Sequence, residues 1–260
     1  MSGGTALRQV RAMSWRSVLA IARQPALVVP SLVFPLFFAS LGTSSFSRAT
    51  SLPGFPEVDS FLDFSLAGTI VQGVLFGSTV GATALATDIQ TGFFDRLLAS
   101  PVSRLSVLLG RLAGASAFGA AQAALFTLLL LPFGVTVHAG VGGFAVIVLS
   151  GALIGLAFGA LMAAMALRTG SAEAVQGAFP LLFIVLFFSS AFFPRQTMSG
   201  VYGGIADANP VSYLVEGIRA LIVEGFGARA VAEALGIPAA IACGTLWLSI
   251  VALRARVRAA

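Results

Sequence analysis

Six stretches of the sequence are almost free of charge, and each is close to 20 residues long: 25–42, 64–86, 112–133, 141–167, 175–193 and 234–253. An α-helix needs about 20 apolar residues to cross the ~30 Å hydrocarbon core of a bilayer. The runs are rich in Gly, Ala and Leu and lack the polar–apolar alternation of a barrel strand, so helices are expected. Hydrophobic residues make up 58% of the 260 positions and charged residues 10%, which leaves almost no soluble mass. A soluble domain carries roughly a quarter of charged residues. The expected fold is an all-α polytopic membrane protein with six transmembrane helices over 25–260, preceded by a separate element at 1–24.

The charges set the expected orientation. All 15 basic residues are Arg. If the N-terminus is cytoplasmic, Arg8, Arg11, Arg16, Arg23, Arg96, Arg104, Arg111, Arg168, Arg254, Arg256 and Arg258 fall inside, and Arg48, Arg195, Arg219 and Arg229 fall outside. That imbalance follows the positive-inside rule, and an even helix count returns the C-terminus to the cytoplasm. Because the arginines sit at membrane edges rather than in one patch, the net charge of +5 does not point to nucleic acid. The first 24 residues hold four arginines and no compact apolar core, so no cleavable signal peptide is expected.

Three smaller elements stand out. In 5–23, Leu7, Val10, Val18 and Ile21 gather opposite Arg8, Arg16 and Arg23, the pattern of an interfacial amphipathic helix with Trp15 at the headgroup boundary. Segment 87–111 is charged and half-amphipathic, a surface element wedged between two apolar runs. Segment 194–233 is too long and too apolar for a simple loop and reads as short helices dipping back into the outer leaflet. Its Pro210 suits a first helical turn, Tyr213 an interfacial anchor, and Glu216 and Arg219 can pair across one helix face. These four are the candidate external gate. Glu57, Asp59 and Asp63 are read as outside-loop acids.

Small residues recur at four-residue spacing at Gly73, Gly77 and Gly81, at Gly110 and Gly114, and at Gly151, Gly155 and Gly159, ridges along which helices can pack closely in lipid. Phe34, Phe37 and Phe38 in the first run and Phe183, Phe187 and Phe188 in the fifth are candidates for a seam between two copies. Pro30 and Pro35 should kink the first run.

Counting excludes several chemistries. One His (His138) and one Cys (Cys243) cannot build a His/Cys metal site. Cys243 reads as a small buried hydrophobe, and His138 as a solvated loop residue. None of the 10 acids falls in the middle of an apolar run, which disfavours a carrier driven by an ion gradient. The phosphate-binding loop GxxxxGK[ST] requires a lysine, and there is none, so any ATP must be bound by another chain. The polar groups expected inside the bundle are the amides Gln72 and Gln122, which with Phe183 and Phe187 form the candidate substrate path.

Two stretches carry a family resemblance. One is DIQTGFFDRLLASPVSRLSVLLGR; the other is FFPRQTMSG followed by ANPVSYLVEGIRALI. Together with the six runs they resemble the membrane permease subunit of ABC-2 type exporters, near the daunorubicin-resistance-like drug-export branch. The resemblance implies that Asp88, Gly92, Phe93, Phe94, Asp95, Arg96, Leu97, Leu98, Pro101, Arg104 and Arg111 form an ATPase-coupling segment. Phe93, Phe94, Leu97 and Leu98 would make its apolar face and Gly92 would break the second span. It implies two copies of a separate ABC-type ATP-binding subunit holding ATP and Mg, a homodimer of this chain, and no cofactor on the chain itself. The expected activity is efflux of hydrophobic or amphipathic compounds, as in antibiotic resistance, across a bacterial cell membrane. The rivals are a gradient-driven carrier and a non-transporting scaffold.

Overall fold

A computed structural model describes residues 12–14, 16–19, 23–51, 55–99 and 103–259. Leu7, Arg8, Val10, Arg11, Trp15 and Ile21 of the expected interfacial helix lie outside them, as does Pro101 of the coupling segment. Among the described residues every regular element is helical: α1 Pro25–Phe46, α2 Phe61–Gln90, α3 Phe93–Ala99, α4 Arg104–Leu130, α5 Gly140–Thr169, α6 Ala172–Gly177, α7 Phe179–Phe187, α8 Gly200–Ala208, α9 Pro210–Val223, α10 Ala228–Val231 and α11 Ile237–Ala259. A π turn, Ala232–Gly236, joins α10 to α11 in one continuous run.

Five helices are long and apolar enough to cross a membrane: α1, α2, α4, α5 and the α10–α11 run. The fifth apolar run differs from the expected single span. It forms α6 and α7, broken at Ala178 before Pro180, and then unwinds into turns from Phe188. From Ala172 to Phe187 it reaches about 24 Å at 1.5 Å per residue.

Two helices form the centre. α2 packs against α1, α4, α5, α6 and α9, while α5 packs against α2, α4 and α11. The α4–α5 contact is close because small residues face each other. A Cβ on Gly119 would lie 2.3 Å from Gly151 O, and one on Gly155 would lie 2.5 Å from Ala115 O. The Gly151–Gly155–Gly159 ridge therefore packs as the spacing suggests. Gly110 and Gly114 instead face Met13 and Ser17 of the N-terminal segment, and Gly81 faces open space.

Prolines inside helices leave a carbonyl without its donor, and in lipid a neighbouring helix must supply one. Pro35 cannot bond the Ser31 carbonyl; Gln122 Nε2 on α4 donates to it at 3.4 Å, to Ser31 Oγ at 3.2 Å and to Gly73 O at 3.0 Å. Pro238 likewise frees Ala234 O, to which Ser150 Oγ on α5 donates at 2.7 Å. Gln122 is thus engaged in clamping α1, α2 and α4, a different role from the path-lining one its polarity suggested.

The unwound end of the fifth run obeys the same rule. Asn209 Nδ2 donates to Val185 O and Phe188 O at 2.7 and 2.8 Å, and an Arg219 guanidinium N–H donates to Ser190 O at 2.7 Å. Irregular backbone among apolar helices is tolerable only where protein groups satisfy it. The α8–α9 hairpin exists in part to do so.

Two further expectations change. Asp63 is not a loop acid: it lies in the first turn of α2, only 3% exposed, bonded by the N-cap Ser60 Oγ at 2.6 Å and by Thr136 N at 3.3 Å. Cys243 is exposed on α11 rather than buried. Phe38 and Phe183 lie 6.3 Å apart within one chain, so the first and fifth runs already meet intramolecularly.

Candidate functional site: a charge-bound surface helix and an aromatic cleft

At one end of the bundle, α2 stops at Gly92, whose φ of +69° is a left-handed conformation that a side chain would strain. The chain turns there into α3. Phe94 is 2% exposed, and Leu97 and Leu98 pack against the core, so most of the apolar face points into the protein itself. The apolar face expected of this helix is thus turned mainly toward the bundle. What α3 leaves exposed is Asp95, Arg96 and Ala99.

Charges tie α3 and its neighbours to several elements at once. Asp88, at the end of α2, pairs with Arg111 of α4 and lies 4.0 Å from Arg16 of the N-terminal segment. The Arg16 guanidinium sits 4.4 Å above the Phe93 ring, a cation–π contact. Arg256 of α11 lies 3.9 Å from Asp95, and Gln90 donates to Glu173 of α6 at 3.1 Å. A displacement of α3 is therefore felt by α2, α4, α11 and the segment before α1. Asp88 and Arg111, far apart in sequence, were both legible in the charged stretch. Arg16, Arg256 and Glu173 were not, because their partners are reached only through the fold. Arg104 opens α4 without an acidic partner among the described residues.

At the opposite end, Pro210 takes the first turn of α9 behind the N-cap Asn209. Glu216 and Arg219 do not pair with each other as their spacing suggested. Glu216 holds Arg195 through two hydrogen bonds, the Nε one at 2.6 Å, and this contact keeps the Arg195 guanidinium above its ordinary range. Arg195 also stacks 4.3 Å from the Tyr213 ring, and Tyr213 OH donates to Asp207 O at 2.8 Å. Arg219 turns inward, 6% exposed, where Nε donates to Phe64 O at 3.1 Å and the head group lies 3.8 Å from the Phe64 ring. Arg195 is the functional-looking residue that helix spacing missed. A cavity of about 800 Å³ opens over this cluster, with Glu57, Arg229 and Glu233 among its walls.

Between α1, α2 and the end of the fifth run lies a second cavity of about 200 Å³, walled by Phe38, Phe46, Phe61, Phe187 and Phe193 and reached by Gln72. Gln72 is 1% exposed, and its Nε2 has no hydrogen-bond partner among the described residues. Phe187 is therefore a wall of this cleft. Phe183 stacks behind it, 4.7 Å away, against Phe76 and Phe179.

The described residues form a bundle of apolar helices with one short helix packed at an end, and sequence comparison supplies the class. The profile of the ABC-2 type transporter family matches residues 8–223, so the chain belongs to that family. It is 29% identical over 209 residues to the daunorubicin resistance ABC transporter permease protein DrrB1 of Streptomyces coeruleorubidus, covering 80% of this chain and 72% of that one. It is 28% identical over 224 residues to a Pyropia yezoensis protein named "Putative transport permease ycf38", covering 83% of this chain and 74% of that one. The protein is a multi-pass membrane permease subunit of the ABC-2 type, a transport component rather than an enzyme, whose family implies an ATP-binding partner.

Proposed function

We propose that the chain is the membrane-spanning half of an ATP-driven exporter that moves hydrophobic or amphipathic compounds out of the cytoplasm or the inner leaflet. Two copies of a separate ATP-binding subunit would bind ATP and Mg and act on a homodimer of this chain. The observation that carries the reading is α3: a short helix at the end of the most buried span, touched by Arg256 at Asp95 and by Arg16 at Phe93, with Asp95, Arg96 and Ala99 facing outward. Closure of the paired ATPase subunits would shift α3 and, through Asp88–Arg111 and Asp95–Arg256, the ends of α2, α4 and α11.

In this reading α3 lies in the cytoplasm, the α6–α7 run with its following turns is the sixth crossing, and both termini are cytoplasmic, in a bacterial cell membrane. The aromatic cleft takes part of the transported molecule. Its walls suit rings and alkyl groups, while the lone Gln72 Nε2 favours a substrate carrying a carbonyl or ether oxygen. A buried donor without a partner costs about 1–3 kcal/mol, so a substrate that satisfies it gains affinity. The name of the daunorubicin resistance relative supports a drug-like cargo of this kind.

The test is transport into inside-out vesicles from cells producing the chain with its ATP-binding subunit, across anthracyclines, hydrophobic cations and lipids. ATP-dependent accumulation is expected for the oxygen-bearing aromatics, and Gln72→Leu should raise their half-saturating concentration about tenfold. Accumulation driven by an ion gradient without the ATPase would reject the reading.

A further inference from the structure

The start of α4 and the end of α11 both pack against α5, and a groove of about 340 Å³ runs between them at the α3 end of the bundle. Its floor is apolar, formed with Leu105, Ile250 and Val257, and its rim carries Arg104, Arg254 and Arg258. All three arginines are exposed, and none lies within 4.0 Å of a carboxylate among the described residues. Nearby Arg111 and Arg256, by contrast, are matched to Asp88 and Asp95. The groove thus holds a cluster of unneutralised positive charge against an oily surface.

We propose that this groove binds the headgroup of an anionic phospholipid, with the acyl chains lying along α11. A phosphodiester fits the arginine rim, because guanidinium groups bind phosphate oxygens through paired hydrogen bonds. Charge complementarity alone would also suit a soluble anion, but such an anion has no use for the apolar floor. The floor continues away from the rim as an outward apolar face: Trp247 is 65% exposed one helical turn from Ile250, and Leu105 is 43% exposed on the facing helix. Groove and face together match an amphiphile with an anionic end. Because Arg104 opens the helix that follows α3 and Arg254 flanks the Arg256 that pairs with Asp95, a bound headgroup would brace the helices that α3 moves.

Trp247 is a natural reporter. With Trp15→Phe it becomes the sole tryptophan, and the full chain can be placed in phosphatidylcholine nanodiscs containing a small fraction of lipid brominated on its acyl chains. Brominated phosphatidylglycerol should quench Trp247 with a preference of about tenfold or more over brominated phosphatidylcholine, given about fivefold per arginine near an anionic headgroup. Arg254→Gln alone should lower that preference about fivefold, and the Arg104→Gln, Arg254→Gln, Arg258→Gln triple variant should remove it. Arg48→Gln, at the other end of the bundle, should leave it unchanged. Equal quenching by the two lipids, or a preference that survives both Arg254→Gln and the triple variant, overturns the proposal. Displacement by excess inorganic phosphate also overturns it, in favour of a soluble anion.

Discussion

The two ends of the bundle hold their charges in opposite ways. At the α3 end, cations meet carboxylates across elements, with side-chain exposure running from 17% at Arg111 to 50% at Asp95, and the Arg16 and Arg256 contacts are as long as 4.0 Å. At the opposite end, Arg219 is enclosed and bonded to the main-chain oxygens of Phe64 and Ser190. Exposed pairs are individually weak and exchange partners at little cost. A buried cation on carbonyls cannot move without exposing several unsatisfied groups at once. Under the proposed function the α3 end would move and the other end would stay fixed, where Asn209 and Arg219 bond the unwound end of the fifth run.

The sharpest way to break the comparison is Arg219→Leu. It leaves the Phe64 and Ser190 carbonyls without their donor and should cost about 3 kcal/mol of stability, seen as a lowered thermal midpoint in detergent and reduced folded yield. A loss under 1 kcal/mol would show that the α9 end is not fixed by this residue. Gly119→Ala should be next, because its Cβ would meet Gly151 O at 2.3 Å. Overpacking of this kind costs about 2 kcal/mol, and the same midpoint reads it.

Effects at the α3 end should be smaller in stability and larger in transport. Asp88→Asn should lower stability by about 1.5 kcal/mol, since it leaves Arg111, only 17% exposed, without its carboxylate. It should nevertheless reduce ATP-dependent transport in vesicles, because α2 and α4 lose their link. Smallest of all, Asp95→Lys with Arg96→Glu should move stability by no more than about 0.5 kcal/mol, yet prevent capture of the ATP-binding subunit on an affinity column. If it destabilises the chain as much as Arg219→Leu, the two ends do not differ as described.

The fold was largely legible because lipid imposes a length and a composition that few other environments demand. Five of the six apolar runs became helices long enough to cross. The 175–193 run was harder to read: its unwinding depends on Asn209 and Arg219 supplying donors from the hairpin that follows it, and hydropathy carries no trace of that. The same limit explains Gln122 and Asp63. Each is a polar group whose partner, Ser31 O or Thr136 N, is fixed only when helices assemble. Gln72 and Gln122 look alike as sequence, and only packing shows that one side-chain amide is engaged at Nε2 while the other is buried beside a cleft with its Nε2 unbonded. For α3, the charged stretch gave the element, whereas the direction of its apolar face was decided by the bundle waiting behind Phe94.

The most direct measurement is substrate-stimulated ATP hydrolysis and transport in proteoliposomes holding the chain and its ATP-binding subunit, compared with the same liposomes lacking either partner and with the Asp95→Lys, Arg96→Glu variant. Energy entering through the exposed face of α3 requires both partners for transport, and requires the variant to remain folded while losing stimulation and transport together. Transport by the chain alone, or undiminished transport by the folded variant, would contradict it.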